Sequence, residues 1–280
     1  MCRLFGFRSI FSSQVHSSLV GANNAMMNQS EFHPDGWGVA YYLDNTPHVI
    51  KSPKSAITDS LFKKVSGVVS SKTVVAHLRK ATEGQIDILN CHPFQYGKWI
   101  FAHNGNIKNF SENRDQFLDL IDRKYLRFLL GDTDSEVLFY VLLTYLKVDS
   151  EAITLGVLKQ RFENFMKKVT EISGSICTDP NGGCLENYLT FILTDGEQMF
   201  CFNGGKELVF STHKSKCPER QTCEFLSESC ENPAENGEKI QHLIISSEIL
   251  NAENIWRSTE TGDFLFLDKS LNLHRFQVKL

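Results

Sequence analysis

The sequence lacks the features that mark several classes of protein. It has no run of about 18 apolar residues, so no membrane span is predicted. The formal net charge of −4 does not indicate a basic surface for binding nucleic acid. No G-x-G-x-x-G loop, P-loop or internal repeat is present. A signal peptide is also missing, because Arg3, Arg8 and nearby serines interrupt any apolar stretch. We therefore expect a cytoplasmic protein without a membrane or nucleic-acid partner.

Zinc and disulfide frameworks are disfavoured as well. The chain has eight cysteines, but none has the C-x-x-C spacing of zinc sites. In a cytosolic chain, cysteines indicate free thiols, metal binding or catalysis rather than disulfides. Three of them lie in the polar, charged stretch 213–238. We interpret this stretch as a cysteine-rich surface loop or insertion within one domain that spans residues 1–280.

Strand-like runs occupy both ends of the chain, and helical patterns lie in the middle. The strand-like runs are GWGVAYYL (36–43), PHVIKS (47–52), TVVAHLR (73–79), KWIFAHNG (98–105), YLTFILTD (188–195), QMFCFN (198–203), ELVFST (207–212), QHLIISSE (241–248), DFLFLD (263–268) and LNLHRFQV (271–278). Residues 17–30, 133–148 and 151–169 have helical patterns, and Thr133 and Glu136 are spaced as a capping box. This order predicts an α+β fold with sheets packed against helices.

The second residue of the chain is a cysteine. Removal of Met1 would place the thiol of Cys2 and a free α-amine on the same carbon. The amine has a reference pKa of about 8 and the thiol about 8.5, so a nearby base of this kind could activate the thiol. Position alone does not decide between a nucleophile and an ordinary cysteine.

Two strand ends carry residues that suit substrate binding. Arg79 follows an apolar run and is followed by Thr82, a pair that can hold a carboxylate, although a solvated arginine explains it equally well. Asn104 and Gly105 end the next run, where a plain turn competes with an oxyanion hole built from an amide and a backbone N–H.

Further polar residues surround these two strand ends. The segment GDTDSEV (131–137) places Asp132 and Asp134 near a helix start, where acidic side chains stabilise the helix dipole. With Glu136 present, one carboxylate is spare and could bind an ammonium group. His92 precedes Pro93, and a structural role suits it better than a catalytic one.

The combination of these motifs is more specific than any one of them. The motifs occur in the order MCRLFGF, HPDGWGVAYY, VVAHLRKATEG, CHPF, FAHNGNI and GDTDSEV. On these residues the sequence resembles the class II glutamine amidotransferases of the N-terminal nucleophile hydrolase superfamily, in particular the stand-alone γ-glutamyl amidohydrolases. The resemblance covers residues 2–137 and resumes in HLIISSEIL and GDFLFLD, but it leaves out 213–238.

The resemblance implies a fold and a role for each matching residue. The fold is a four-layer αββα sandwich, in which two antiparallel sheets lie between helix layers. The roles it implies are the nucleophile (Cys2), the α-carboxylate site (Arg79 and Thr82), the oxyanion hole (Asn104 and Gly105), the α-ammonium site (Asp134) and the pocket region (His92). Lys80 and Glu83 depart from the members that feed amino-sugar synthesis, on the leaving-group side of the pocket.

The expected reaction is hydrolysis of the γ-amide of glutamine or of another small γ-glutamyl compound. It would proceed through a glutamyl thioester and release glutamate with ammonia or an amine, without a metal or organic cofactor. One alternative is a glutaminase subunit that delivers ammonia to a separate synthase partner. Another is a non-catalytic, thiol-sensing protein that uses its cysteine cluster.

Overall fold

The strand-like runs of the sequence form two antiparallel sheets. The structure, a computed structural model, describes residues 2–148, 154–183, 186–218, 220–250 and 253–280. Its strands are β1 (Arg3–Gln14), β2 (Trp37–Leu43), β3 (Thr46–Ser52), β4 (Ser70–Leu78), β5 (Phe94–Tyr96), β6 (Trp99–Asn106), β7 (Tyr188–Thr194), β8 (Met199–Phe202), β9 (Val209–Ser211), β10 (His242–Ser246), β11 (Arg257–Ser258), β12 (Asp263–Leu267) and β13 (Leu273–Gln277). Within these residues, the first sheet has the order β11-β9-β10-β1-β4-β2-β3, and the second has the order β13-β12-β8-β7-β6-β5.

Helices cover the outer face of each sheet. They are α1 (Met26–Gln29), α2 (Ser60–Val68), α3 (Phe110–Asp119), α4 (Arg123–Leu126), α5 (Asp134–Leu146) and α6 (Leu155–Ser173). Residues of α3, α5 and α6 share a hydrophobic core with the second sheet. Residues of α2 and of the π-helical turn Ser17–Gly21 pack on the first sheet. The predicted αββα sandwich is therefore confirmed.

Side-chain alternation along the strands builds the layer between the sheets. Leu4 faces the opposite sheet, whereas its neighbour Phe5 faces the helices. In β6, Ala102 faces the first sheet and Phe101 faces α5. The period of two residues places alternate apolar side chains in separate cores, which is why both faces of these strands are apolar.

The helical predictions were right in the middle of the chain and wrong near its start. Thr133 caps α5 by accepting from the Glu136 N–H, as predicted. The predicted helix over 17–30 instead breaks into Ser17–Gly21 and the single turn α1, because Gly21 and two asparagines disfavour helix and Ala22 is extended. Residues 151–153 of the other predicted helix lie outside the described residues, and α6 begins after its cap Thr154.

The cysteine-rich stretch contains little regular structure. Its described residues form turns, one bridge at Lys214 and a 3₁₀ turn, Glu228–Cys230. All seven cysteines that the structure describes are free thiols. No helix in the described part of the chain is both long and apolar enough to cross a membrane.

Candidate active site

The antiparallel register of β1 and β4 brings Cys2 next to Arg79. Arg3 pairs with Leu78, so the residue before β1 lies beside the residue after β4. The Cys2 thiol is buried, donates to the Lys80 carbonyl at 3.5 Å and accepts from the Lys80 N–H at 3.4 Å. Burial raises the pKa of the thiol, while the Lys80 hydrogen bond and the positive charge of Arg79 act in the opposite direction. A thiol in this environment needs a base to become a nucleophile.

The Arg79 guanidinium holds the loop that follows β4 by hydrogen bonds to its backbone. Arg79 is buried and donates to the carbonyl groups of Glu83 at 2.9 Å, Gly84 at 3.3 Å and Gln85 at 3.0 Å. These bonds use three of the five guanidinium N–H donors. Two donors therefore remain outside these loop contacts.

The HPDGWG motif supports this loop from the other side. The Arg79 N–H donates to the Gly36 carbonyl at 2.8 Å, and the Ala81 N–H donates to the Asp35 carboxylate at 2.9 Å. These contacts fix the backbone on both sides of Lys80. The motif thus holds the segment that contacts the Cys2 thiol.

The end of β6 supplies the amide and glycine of the predicted oxyanion hole. Gly105 lines the cavity, and Asn104 is buried beside it with its Oδ1 lacking a hydrogen-bond partner among the described residues. A Cβ at Gly105 would overlap the Tyr188 carbonyl oxygen and the His103 ring. Glycine is thus required at this strand end by the close approach of β7.

The start of α5 supplies the acidic group. One Asp134 carboxylate oxygen accepts from the Ile107 N–H at 2.8 Å, and the other accepts from the Ser135 N–H at 2.7 Å and the Ser135 hydroxyl at 3.1 Å. Asp134 therefore stabilises the helix start and also lines the cavity. A carboxylate has about four acceptor positions, so one remains for a cationic group.

The two other acids of the segment are engaged elsewhere. Asp132 accepts from the Asn90 amide at 2.5 Å. The Glu136 carboxylate accepts from the N–H groups of Leu130 at 3.1 Å and Gly131 at 2.7 Å, so it does not complete the expected capping box at Thr133. Asp134 is therefore the carboxylate of this segment that faces the cavity.

Three buried histidines lie beside the cysteine cavity. The rings of His77 and His92 are 4.1 Å apart between centroids, and both ring nitrogens of His92 lack a hydrogen-bond partner among the described residues. His103 contacts the Ser135 hydroxyl and the Tyr188 carbonyl, each at 2.9 Å. Burial lowers the pKa of all three and brings that of His77 to about 3. These histidines are therefore weak bases.

One small cavity joins the predicted site residues except Asn104. Its volume of about 10 Å³ has room for about one water molecule. The lining residues are Cys2, Arg79, Lys80, Ala81, Thr82, Glu83, His92, His103, Gly105, Thr133, Asp134 and Ser135. In the described part of the chain, no group of three or more potential metal-ligating side chains is placed to hold a metal ion.

Comparison with known proteins identifies the family. The sequence profile of the family described as Glutamine amidotransferases class-II matches residues 1–275. The chain belongs to this family. A Haemophilus influenzae protein named as a candidate glutamine amidotransferase is 30% identical over 206 residues, which cover 71% of this chain and 62% of that protein.

One further relative has a named reaction, and one solved structure has the same fold. The gamma-glutamyl-hercynylcysteine sulfoxide hydrolase of Mycobacterium tuberculosis is 36% identical over 72 residues, which cover 25% of this chain and 31% of that protein. The solved class II domain protein from Silicibacter pomeroyi superposes with a TM-score of 0.63 at 18% identity, covering 100% of both chains, and shows the same fold. The chain spans less than two thirds of the length of the first curated relatives that it matches.

Most residues that line the cavity were predicted from the sequence, but part of its wall was not. Cys2, Arg79, Thr82, His92, Gly105 and Asp134 all line it, with Thr82 on its exposed side and Asn104 beside Gly105. His103 and Ser135 were not assigned a role, and Thr133 was predicted only as a helix cap. His103 directly precedes Asn104, and its signal was alternation: like Phe101, it faces α5 and reaches Ser135.

Replacement of Gly105 by alanine is expected to destabilise the fold by about 3 kcal/mol or more, because backbone rather than a flexible side chain blocks the new methyl group. The free energy of unfolding in urea measures the effect. Gly67→Ala in α2 is the matched control, because a Cβ there meets nothing within 4 Å, and stability should stay the same or rise by about 0.5 kcal/mol. Equal stability of the two variants would contradict the close approach of β7.

Acid is expected to destabilise the fold through the buried histidines. The folded pKa of His77 is about 3, whereas an unfolded histidine has a pKa of about 6.5. The unfolded chain binds the proton first, so stability falls as the pH drops from about 6.5 towards 3. At pH 5 one such histidine lowers the free energy of unfolding by about 2 kcal/mol.

Urea unfolding at pH 7 and pH 5 tests this expectation. The informative variant is His77→Gln, which keeps an N–H donor for the His103 carbonyl. Between pH 7 and pH 5, the free energy of unfolding of this variant should fall by about 2 kcal/mol less than that of the unmodified protein. An identical loss in both proteins would show that His77 does not titrate on unfolding.

Proposed function

We propose that this family member hydrolyses the γ-amide of glutamine or of a γ-glutamyl compound, with Cys2 as the nucleophile. The observation that supports it most is the convergence of Cys2, Arg79, Gly105 and Asp134 on one cavity from three strand ends and a helix start. The thiol, a cation, a close-approach glycine and an anion are the groups that a γ-glutamyl amide requires. The proposal takes residues 1–280 as one domain.

The base in this proposal is the α-amine of Cys2, released by removal of Met1. The buried thiol has a raised pKa, and the neighbouring histidines have lowered ones, so neither thiolate formation nor a histidine base is favoured. The amine takes the thiol proton directly or through a water molecule. The unpartnered Oδ1 of Asn104 supplies an acceptor for the ammonium that forms.

The thiolate then attacks the γ-carbonyl carbon of the substrate. The side-chain N–H of Asn104 and the backbone N–H of Gly105 stabilise the oxyanion, and one such donor contributes about 3–4 kcal/mol. The ammonium protonates the departing amine as the carbon–nitrogen bond breaks. Water hydrolyses the thioester, which releases glutamate and restores the thiol.

Substrate recognition depends on charges at the other end of the glutamyl group. The free donors of Arg79 and the hydroxyl of Thr82 hold the α-carboxylate. The remaining acceptor position of Asp134 holds the α-ammonium. His92 lies in the same wall, where its unpartnered ring nitrogens are available to a bound substrate.

A glutaminase role in a larger assembly is the second candidate. The partial coverage of the relatives favours it, because the aligned segments leave more than a third of each relative unmatched. In that case glutamine is the substrate, and ammonia passes to a synthase partner. The mechanism at Cys2 is the same in both candidates.

A release assay separates the candidates. Glutamate release would be measured with L-glutamine, γ-glutamyl peptides and γ-glutamyl alkylamides. Faster release from the substituted compounds supports the hydrolase, whereas release from glutamine alone supports the glutaminase subunit.

Labelling with 6-diazo-5-oxo-L-norleucine, a glutamine analogue, tests the nucleophile Cys2 that both candidate functions share. Mass spectrometry should locate the label on Cys2. A label confined to cysteines 177–230 would overturn the proposal in favour of thiol sensing.

Substitution of Arg79 by alanine is expected to raise KM for glutamyl substrates about 100-fold, because a charged hydrogen-bonding partner of the carboxylate is lost. Steady-state kinetics would measure it. Arg123→Ala is the matched control, since Arg123 is exposed on α4. Unchanged KM in a folded Arg79→Ala protein would remove Arg79 from substrate binding.

A further inference from the structure

A second and larger cavity lies between the edge strands of the two sheets. It has a volume of about 510 Å³, which is within the range of about 300–1,000 Å³ for small-molecule sites. β9 and β11 of the first sheet and β13 of the second form its walls, together with the segment 233–236. Its lining residues are Phe210, Pro233, Ala234, Glu235, Asn236, Arg257, Leu273 and Arg275.

Hydrogen bonds fix the shape of this cavity without a ligand. The segment 236–240 runs along β13, where Leu273 donates to the Glu238 carbonyl at 2.9 Å and accepts from the Gly237 N–H at 2.6 Å. The Arg275 N–H donates to the Asn236 side chain at 2.6 Å. The wall is therefore attached to the sheet rather than free to collapse, and a ligand would meet a preformed site.

The floor of the cavity is apolar and partly aromatic. Phe210, Ala234 and Leu273 are buried, and the Arg275 guanidinium lies 5.8 Å from the centre of the Phe210 ring. Arg275 itself is neutralised, because its guanidinium donates twice to the buried Asp263 carboxylate, at 3.2 and 2.6 Å. The floor thus accepts an apolar or aromatic group without offering a free charge.

Two charges at the rim remain without ionic partners. The Arg257 guanidinium donates to the Ala234 carbonyl at 3.3 Å, and it forms no ion pair with any residue that the structure describes. Glu235, the residue next to Ala234, likewise has no ion-pair partner within the described ranges. A cation and an anion therefore flank one apolar floor: Arg257 contacts the residue next to Glu235, but the two charges do not form an ion pair with each other.

We propose that this cavity binds an apolar α-amino acid. Arg257 holds the carboxylate, Glu235 holds the ammonium, and the apolar side chain lies on Phe210 and Leu273. A zwitterion satisfies both rim charges at once, whereas a simple anion would leave Glu235 opposed to it. In the first sheet, β10 lies between β1, which follows Cys2, and the strands β9 and β11 that line the cavity. The site is therefore distinct from the cysteine cavity.

Ligand-observed ¹⁹F NMR with 4-fluoro-L-phenylalanine tests the proposal on the full chain. A ligand of this size in a preformed pocket should bind with a Kd of about 0.1–1 mM. The analogues 3-(4-fluorophenyl)propionate and 4-fluorophenethylamine each lack one charge and should bind at least fivefold more weakly. Absence of saturable binding up to 10 mM would overturn the proposal.

Variants locate the binding. Arg257→Met keeps most of the side-chain length and should weaken binding at least tenfold, and Glu235→Gln should remove the preference for the amine. Arg123→Met, at an exposed arginine of α4, is the control and should bind as the unmodified protein does. Equal affinity in Arg257→Met and the control would overturn the proposal, and thermal unfolding of each variant shows that it is folded.

Discussion

Replacement of Cys2 by alanine is expected to reduce the turnover of γ-glutamyl amides by about 10⁴-fold or more, because no other described group in the cavity can form the thioester. The thiol makes two weak hydrogen bonds to Lys80, so the fold should lose about 1 kcal/mol or less. Steady-state glutamate release and urea unfolding measure the two effects separately.

Cys223→Ala provides the matched control for this loss. Cys223 is a free, half-buried thiol in the stretch 213–238, away from the cavity lining. Its removal should leave turnover unchanged. Full activity in the Cys2→Ala protein would contradict the proposed nucleophile, and loss of activity in Cys223→Ala would direct attention to the cysteine-rich stretch.

Retention of one residue before Cys2 is expected to reduce turnover by about 10³-fold, because the base would become an amide nitrogen that cannot take a proton. A chain with an uncleaved N-terminal extension tests this, and intact mass measures the N-terminus. The same residue added after the exposed Leu280 serves as the control and should have no effect. Full activity in protein that still carries Met1 would show that another group is the base.

The two predictions separate the thiol from its base. Loss of activity in Cys2→Ala alone, with the extended protein active, would keep the nucleophile and reassign the base to a water molecule or a histidine. The lowered pKa of His92 and His103 makes that outcome unfavourable at neutral pH. Activity measured from pH 6 to 9 in the extended protein would identify the replacement base.

Much of the cavity could be predicted because its residues follow strand ends. Apolar runs predict strands, and the polar residue after each run is expected at the end of its strand. Arg79 follows β4, and Asn104 and Gly105 end β6, so motif order and strand order agree. The pairing of β1 with β4 was not evident from the sequence, since register depends on contacts between distant segments.

The loop contacts and the short helices could not be predicted. The three bonds from Arg79 to residues 83–85 depend on how the backbone of the loop turns, which side-chain pattern does not specify. Likewise, α3 and α4 are short and polar, so their stability comes from packing beneath α5 rather than from propensity. Glu136 satisfied every sequence criterion of a capping box, yet its carboxylate accepts from the N–H groups of Leu130 and Gly131 instead.

The bonds that Arg79 makes to its own loop have a kinetic consequence. The enclosed space beside the thiol holds about one water molecule, so we expect residues 80–85 to move as a glutamyl group enters. Association should then take two steps, and the observed rate in stopped-flow mixing should reach a plateau as substrate concentration rises. The plateau measures how fast the guanidinium releases the three carbonyl groups, which makes loop opening the upper limit for capture of any substrate.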